Sequence, residues 1–291
     1  MANWTDGYWW SNDGLRLHYR DYPGPGATAD AARPPIVCLP GLTRNVRDFE
    51  AVADRLAGEW RLICVEMRGR GESAYAKDPL SYVPLTYVQD IERLFEELKL
   101  DRVILFGTSL GGLLTMLIGG TGHVHIAAAL LNDIGPEIDM AGLKRIRGYV
   151  GRQANWPTWL HAARGLAANN VHAFPDYDLV DWIAMAKRLC RLTAQGRIAY
   201  DYDMRIAEPF RLPGGEAGVD LWPAFDSLRA TPTLLLRGTL SDVLSEDVAQ
   251  RMAERHPELD YVEVPHTGHA PILTEPDCVA AIDRLLARAA R

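Results

Sequence analysis

Among the residues able to do covalent chemistry, one serine stands out by its surroundings. Ser109 sits at the centre of Gly107-Thr108-Ser109-Leu110-Gly111, after the apolar run Val103-Ile104-Leu105-Phe106 and before Gly112-Leu113-Leu114-Thr115-Met116-Leu117. The pattern reads as a buried strand, a sharp turn and a buried helix. A serine at the tip of so tight a turn is forced into a strained backbone conformation, and Gly107 and Gly111 supply the missing side chains that let strand end and helix start approach. The turn lifts the Ser109 hydroxyl clear of the sheet, and the NH of Leu110 at the helix N-terminus points at any oxyanion formed there. Ser109 is therefore read as a nucleophile; the plainer reading is a glycine-rich turn and nothing more.

A serine hydroxyl is a poor nucleophile until a base takes its proton, and the base needs an orienting carboxylate. In open α/β sheets the loops after successive strands gather at the carboxyl edge, so both partners should follow later strands. Thr239-Leu240-Ser241-Asp242 follows the strand at 231–238, and His266-Thr267-Gly268-His269 follows the strand at 261–265. The order serine, acid, histidine is thus present as Ser109, Asp242 and His269.

With these residues in hand, the chain resembles the α/β-hydrolase fold family, specifically its esterase-like members with a helical cap, over nearly its whole length. Gly107-Thr108-Ser109-Leu110-Gly111 resembles the nucleophile elbow, and Gly268-His269 resembles the catalytic histidine loop, which favours His269 over His266 as the base. The resemblance implies Asp242 as the acid, although the acid of the family often follows a glycine by three positions and precedes a proline, whereas Gly238 lies four before Asp242 and no proline follows. Asp133 is the fallback, since some members draw their acid from that strand end; its plainer role is a turn cap before Ile134-Gly135-Pro136. Pro40-Gly41-Leu42 resembles the oxyanion loop, which makes the NH of Leu42 the partner of the NH of Leu110. Arg44, Trp156 and Trp159 are the substrate-contact candidates.

The elements that must position these groups can be read in order. Runs at 8–11 and 15–19 flank Asn12-Asp13-Gly14 and predict an antiparallel hairpin. Residues 23–35, rich in Pro, Gly and Ala, read as a loop before a buried strand at 36–39. A helix at 47–56, a strand at 62–67, a helix at 87–98 and a strand at 126–133 continue a parallel sheet. The glycines of Arg68-Gly69-Arg70-Gly71 do not match a dinucleotide fingerprint and read as a strand-end turn. From 136 to 225 the alternation stops in an irregular, aromatic-rich helical stretch, after which strands at 231–238 and 261–265 and a helix at 276–290 close the chain. The expected fold is α/β, a mostly parallel eight-stranded sheet flanked by helices, with residues 1–135 and 226–291 as the core domain and 136–225 as a helical cap.

Size and composition narrow the function classes. The 291 residues can bury one large catalytic unit, and a net charge of −7 with no basic stripe argues against a nucleic-acid partner. The N-terminus lacks the pattern of a secretory signal, no segment is long and apolar enough for a bilayer, and the four cysteines are scattered, which together point to a reduced, cytoplasmic setting. His123-Val124-His125 begins a strand and reads as structural, so no metal is expected, and the triad chemistry needs no cofactor. The expected activity is hydrolysis of a small-molecule carboxylic ester or lactone through an acyl-enzyme. Carbon–carbon hydrolysis, acyl transfer and perhydrolysis run on the same triad, and a ligand sensor that retains it is the reading from another class. Neither the particular substrate nor the oligomeric state is legible.

Overall fold

The computed structural model describes residues 2–25, 33–211 and 220–290. The middle of the loop expected at 23–35 and residues 212–219 of the expected cap lie outside them.

Eight strands form one sheet. In chain order they are β1 (Thr5–Trp10), β2 (Arg16–Tyr22), β3 (Ile36–Leu39), β4 (Leu62–Glu66), β5 (Arg102–Thr108), β6 (His125–Asn132), β9 (Thr233–Gly238) and β10 (Leu259–Val264). Their spatial order is β1-β2-β4-β3-β5-β6-β9-β10; β2 runs antiparallel to both β1 and β4, and every other pairing is parallel. The central strands are short and apolar because both faces are covered. Along them alternate residues divide between two cores. Val37, Leu39, Ile63, Val65, Val103 and Leu105 pack on one side, with α2 (Pro84–Leu98), α3 (Leu110–Thr121) and α8 (Glu246–Arg255). Ile36, Cys38, Leu62, Cys64, Ile104 and Phe106 pack on the other, with α1 (Glu50–Leu56) and α9 (Pro276–Ala289).

Local signals set the helix starts. Asn45 accepts from the NH of Arg47 and opens a tight turn at Val46–Phe49, so the helix expected from residue 47 is regular α-helix only over α1. Pro84 occupies the first turn of α2, whose observed start lies three residues before the expected one.

Between β6 and β9 the chain leaves the sheet and forms α4 (Met140–Tyr149), α5 (Trp159–Asn170), α6 (Leu179–Leu189), a hairpin of β7 (Cys190–Leu192) with β8 (Ile198–Tyr200), and α7 (Trp222–Asp226). The hairpin was not expected from sequence. Ala162, Leu166, Phe174, Trp182, Met185, Leu189 and Ile198 give the insertion a hydrophobic cluster of its own. Asp178 caps α6 reciprocally with Asp181, while Thr158 caps α5.

All four cysteines are buried free thiols. Among the described residues no helix is long and apolar enough to cross a membrane, and no group of three or more His, Cys, Asp or Glu side chains is placed to hold a metal ion. His123 pairs instead with Glu92 at 2.8 Å.

Candidate active site

Ser109 is held at φ 52° and ψ −115° between the end of β5 and the start of α3. For a residue with a Cβ this is a strained conformation, worth about 1–3 kcal/mol, and it persists only where the surroundings over-determine it. They do so here through contacts that exclude side chains. A Cβ on Gly107 would lie 2.4 Å from the carbonyl oxygen of Gly111, and one on Gly111 would lie 1.9 Å from that of Leu39. The elbow is locked between its own helix and the neighbouring strand β3.

The Ser109 hydroxyl lies 2.8 Å from Nε2 of His269, and Nδ1 of His269 lies 2.8 Å from Oδ2 of Asp133. The expected partner is thereby corrected: Asp133, not Asp242, is the carboxylate at hydrogen-bond distance of the imidazole. Asp133 follows β6, is fully buried, and also receives hydrogen bonds from the NH of Gly238 at 2.9 Å and the hydroxyl of Ser241 at 2.6 Å. Asp242 points to α4, where Arg145 donates to both of its carboxylate oxygens at 2.5 and 2.8 Å. Partial burial would raise the Asp242 pKa, but the Arg145 guanidinium outweighs it and holds the carboxyl below its ordinary value.

A sequence signal for this outcome exists. Three residues after Gly238 stands Ser241, and it is Ser241 that reaches across to Asp133. A serine at the place usually taken by the acid leaves the carboxylate to be supplied from the adjacent strand.

His269 is nearly buried, and its loop is braced from the insertion: the NH of Gly268 donates to the Ala173 carbonyl at 2.6 Å, and a Cβ on Gly268 would meet the Ala173 Cβ at 2.6 Å. His266 lies on the exposed surface with Asp176 at 3.2 Å, and its side chain is paired there rather than with Ser109 or Asp133.

Leu110 is the first residue of α3. Leu42 lies in the turn after β3, where a Cβ on Gly41 would lie 3.7 Å from that of Ser109. The fully buried Arg70 fixes that turn: its Nε and Nη2 donate to the Leu42 carbonyl at 2.9 and 2.7 Å, and its Nη1 donates to the Arg68 carbonyl and the Tyr87 hydroxyl. Sequence reasoning took this arginine as part of a turn and missed its grip on Leu42.

A narrow cleft beside Ser109 and His269 is lined by Arg44, Asp48, Phe49, Thr108, Arg188 and the 270–273 stretch. Of the expected substrate contacts, Arg44 is on this cleft. Trp156 and Trp159 are not; they pack against the insertion's own cluster, with Trp156 edge-on to Tyr200 at 5.2 Å. Their aromatic area is buried inside the insertion, where the helices and the small β7–β8 hairpin need it to build a core of their own.

This sheet topology, with a strained serine at a strand–helix elbow and a histidine and aspartate on the loops beside it, defines an α/β hydrolase. Residues 36–282 match the model of the alpha/beta hydrolase family, and the chain belongs to that family. It is 33% identical over 262 residues to the 3-hydroxybutyrate-oligomer hydrolase of Cupriavidus necator, a match covering 86% of this chain and 88% of that protein. The crystal structure of an alpha/beta hydrolase from Novosphingobium aromaticivorans is similar at a TM-score of 0.93 and 54% identity, covering 99% of each chain. That of a putative hydrolase from Rickettsia typhi is similar at 0.84 and 25% identity, covering 98% of this chain and 99% of that one.

Proposed function

We propose that this hydrolase cleaves a carboxylic ester of a small hydroxy acid through an acyl-enzyme on Ser109. The observation that carries the reading is the continuous chain Ser109 Oγ to His269 Nε2 and His269 Nδ1 to Asp133, each link 2.8 Å. His269 takes the Ser109 proton as the hydroxyl attacks the ester carbonyl, then returns it to the leaving alcohol; a water repeats the sequence and frees the acid. Buried Asp133 keeps the tautomer that presents Nε2 to Ser109 and stabilises the imidazolium. The NH groups of Leu42 and Leu110 stabilise the oxyanion, each contributing roughly 3 kcal/mol on the scale of related acyl-transfer sites. The insertion at 136–225 acts as a cap, bracing the histidine loop through Ala173 and restricting water. No step requires a cofactor.

The hydroxy-acid assignment draws on the Cupriavidus relative, whose substrate is an oligomer of 3-hydroxybutyrate and whose match runs through both core and insertion. The test is labelling with a fluorophosphonate probe read by mass spectrometry, followed by turnover of p-nitrophenyl esters, lactones and 3-hydroxybutyrate dimer and trimer. Labelling at Ser109, turnover of the oligomers, and loss of both in Ser109→Ala with an unchanged melting temperature are expected. Labelling without ester or lactone turnover would move the assignment to carbon–carbon cleavage, acyl transfer, perhydrolysis or sensing.

A further inference from the structure

Two arginines face the cleft beside Ser109, and the mechanism uses neither. Arg44 comes from the turn after β3, where its side chain runs past Gly41; Arg188 comes from the last turn of α6 in the insertion. Thr108 and Ala270, the chain neighbours of Ser109 and His269, line the same cleft. The cleft that both arginines line thus adjoins the serine and the histidine.

The two arginines differ in how they are paired. Arg44 is paired with Asp48 at 3.2 Å, and Asp48 also lines the cleft. No carboxylate among the described residues pairs with the Arg188 side chain, although its own carbonyl is held by Asn45 at 3.1 Å and by Arg47 at 3.2 Å. The backbone that carries Arg188 is thus fixed to the core while its guanidinium is left to the cleft. The Tyr177 hydroxyl, buried with no hydrogen-bond partner among the described residues, lies in the field of Arg188, Glu275 and Arg44. Glu275, which accepts from the NH groups of Ile272 and Thr274, and Asp181 act on that hydroxyl too, but neither lines the cleft. Among the residues that line the cleft, two carry guanidinium groups and one a carboxylate, so the lining itself carries a positive balance in an otherwise acidic protein. Guanidinium groups recognise carboxylates through paired, charge-assisted hydrogen bonds.

We propose that Arg188, with Arg44 beside it, binds a free carboxylate of the substrate, so that the enzyme selects esters that carry a second, unesterified acid group. This rests on the hydrolase reading above and names the class of ester it takes. The acid end of a hydroxy-acid oligoester has that form.

Two pairs of esters test it. On the acyl side, mono-p-nitrophenyl glutarate is compared with p-nitrophenyl pentanoate; on the alcohol side, 3-butyryloxybutyrate is compared with its amide. In at least one pair the wild type should favour the charged member in kcat/KM by about tenfold or more, the scale of a hydrogen bond to a charged group. Arg188→Gln should collapse that ratio, mainly through KM, and Arg188→Lys should keep part of it. Equal or better use of the neutral member in both pairs overturns the proposal, as does an Arg188→Gln variant that lowers both members in equal proportion. Should no ester be turned over, calorimetry with glutarate and 3-hydroxybutyrate on Ser109→Ala separates the two claims. Binding that Arg188→Gln abolishes keeps the carboxylate site while the hydrolase reading falls, and absence of binding removes the carboxylate site.

Discussion

Asp133 is fully buried while the Asp242 side chain is 35% exposed, and the two differ as much in partners as in exposure. Asp133 accepts from the Gly238 NH and the Ser241 hydroxyl as well as facing His269, so its orientation is fixed before any substrate arrives. Replacing it with asparagine preserves the shape but lets the amide donate to Nδ1, which presents the wrong tautomer to Ser109. Asp133→Asn should lower kcat on the order of 10³–10⁴-fold, the scale of that exchange in serine proteases. Asp242→Asn breaks only a half-exposed ion pair with Arg145, about 1 kcal/mol or less after solvent screening, and should leave kcat within about threefold of wild type. Steady-state kinetics on the two variants discriminate directly: equal losses would return Asp242 to the triad.

At the scale of elements, the elbow depends on strand β3 as much as on β5 and α3. A methyl group at Gly111 would collide with the Leu39 backbone, which cannot yield without moving β3. Gly111→Ala should destabilise by about 3 kcal/mol, read from urea denaturation, whereas Gly120→Ala, with nothing within 4 Å of the added Cβ, should not. The other edge of the sheet carries a pH-dependent joint. His18 on β2 is buried, with Nδ1 on Glu66 of β4 at 2.9 Å and Nε2 on Asp6 of β1 at 3.0 Å. Burial alone would depress its pKa, but Glu66 and Asp6 together outweigh burial and raise it above the ordinary histidine value. A raised folded-state pKa gives stability that is fully present below the unfolded pKa near 6.5 and is lost as pH rises through the folded value. The melting-temperature gap between wild type and His18→Gln should therefore be wide near pH 5.5 and narrow towards alkaline pH; a gap that widens with pH would contradict the assignment.

At the scale of the whole molecule, the insertion is fastened to the core by directional contacts around the site. Arg145 on α4 pairs with Asp242, the NH of Asp203 donates to the Gly69 carbonyl at 2.7 Å, and Arg47 pairs with Asp201 at 2.7 Å while donating to the carbonyls of Arg188 and Cys190. Arg47 thus ties the end of α6 to the turn before α1. Arg47→Ala should lower Tm by about 2–4 °C per kcal/mol lost and raise amide hydrogen exchange in α6 and β7 without changing β5 or α3. Unaltered exchange in α6 would show that the hydrophobic cluster, not Arg47, holds that helix.

The local sequence determined the parts whose physics is local. Gly-x-Ser-x-Gly after an apolar run requires the elbow, strand periodicity with both faces apolar requires a covered parallel sheet, and Gly268 before His269 marks the close backbone approach that the Ala173 contact displays. The sheet edge at which Ser109, His269 and Asp133 meet was legible for the same reason. What the sequence left open were choices between groups that arrive at the same edge from neighbouring strands. Asp133 and Asp242 end β6 and follow β9, which are adjacent, and only tertiary structure shows Arg145 drawing Asp242 away while Ser241 turns towards Asp133. The tryptophans of the insertion present the same problem. Their types announce a need for burial, but whether they bury against substrate or against one another depends on how α5, α6 and the β7–β8 hairpin pack. Those contacts join residues far apart in the chain, and no local spacing encodes them.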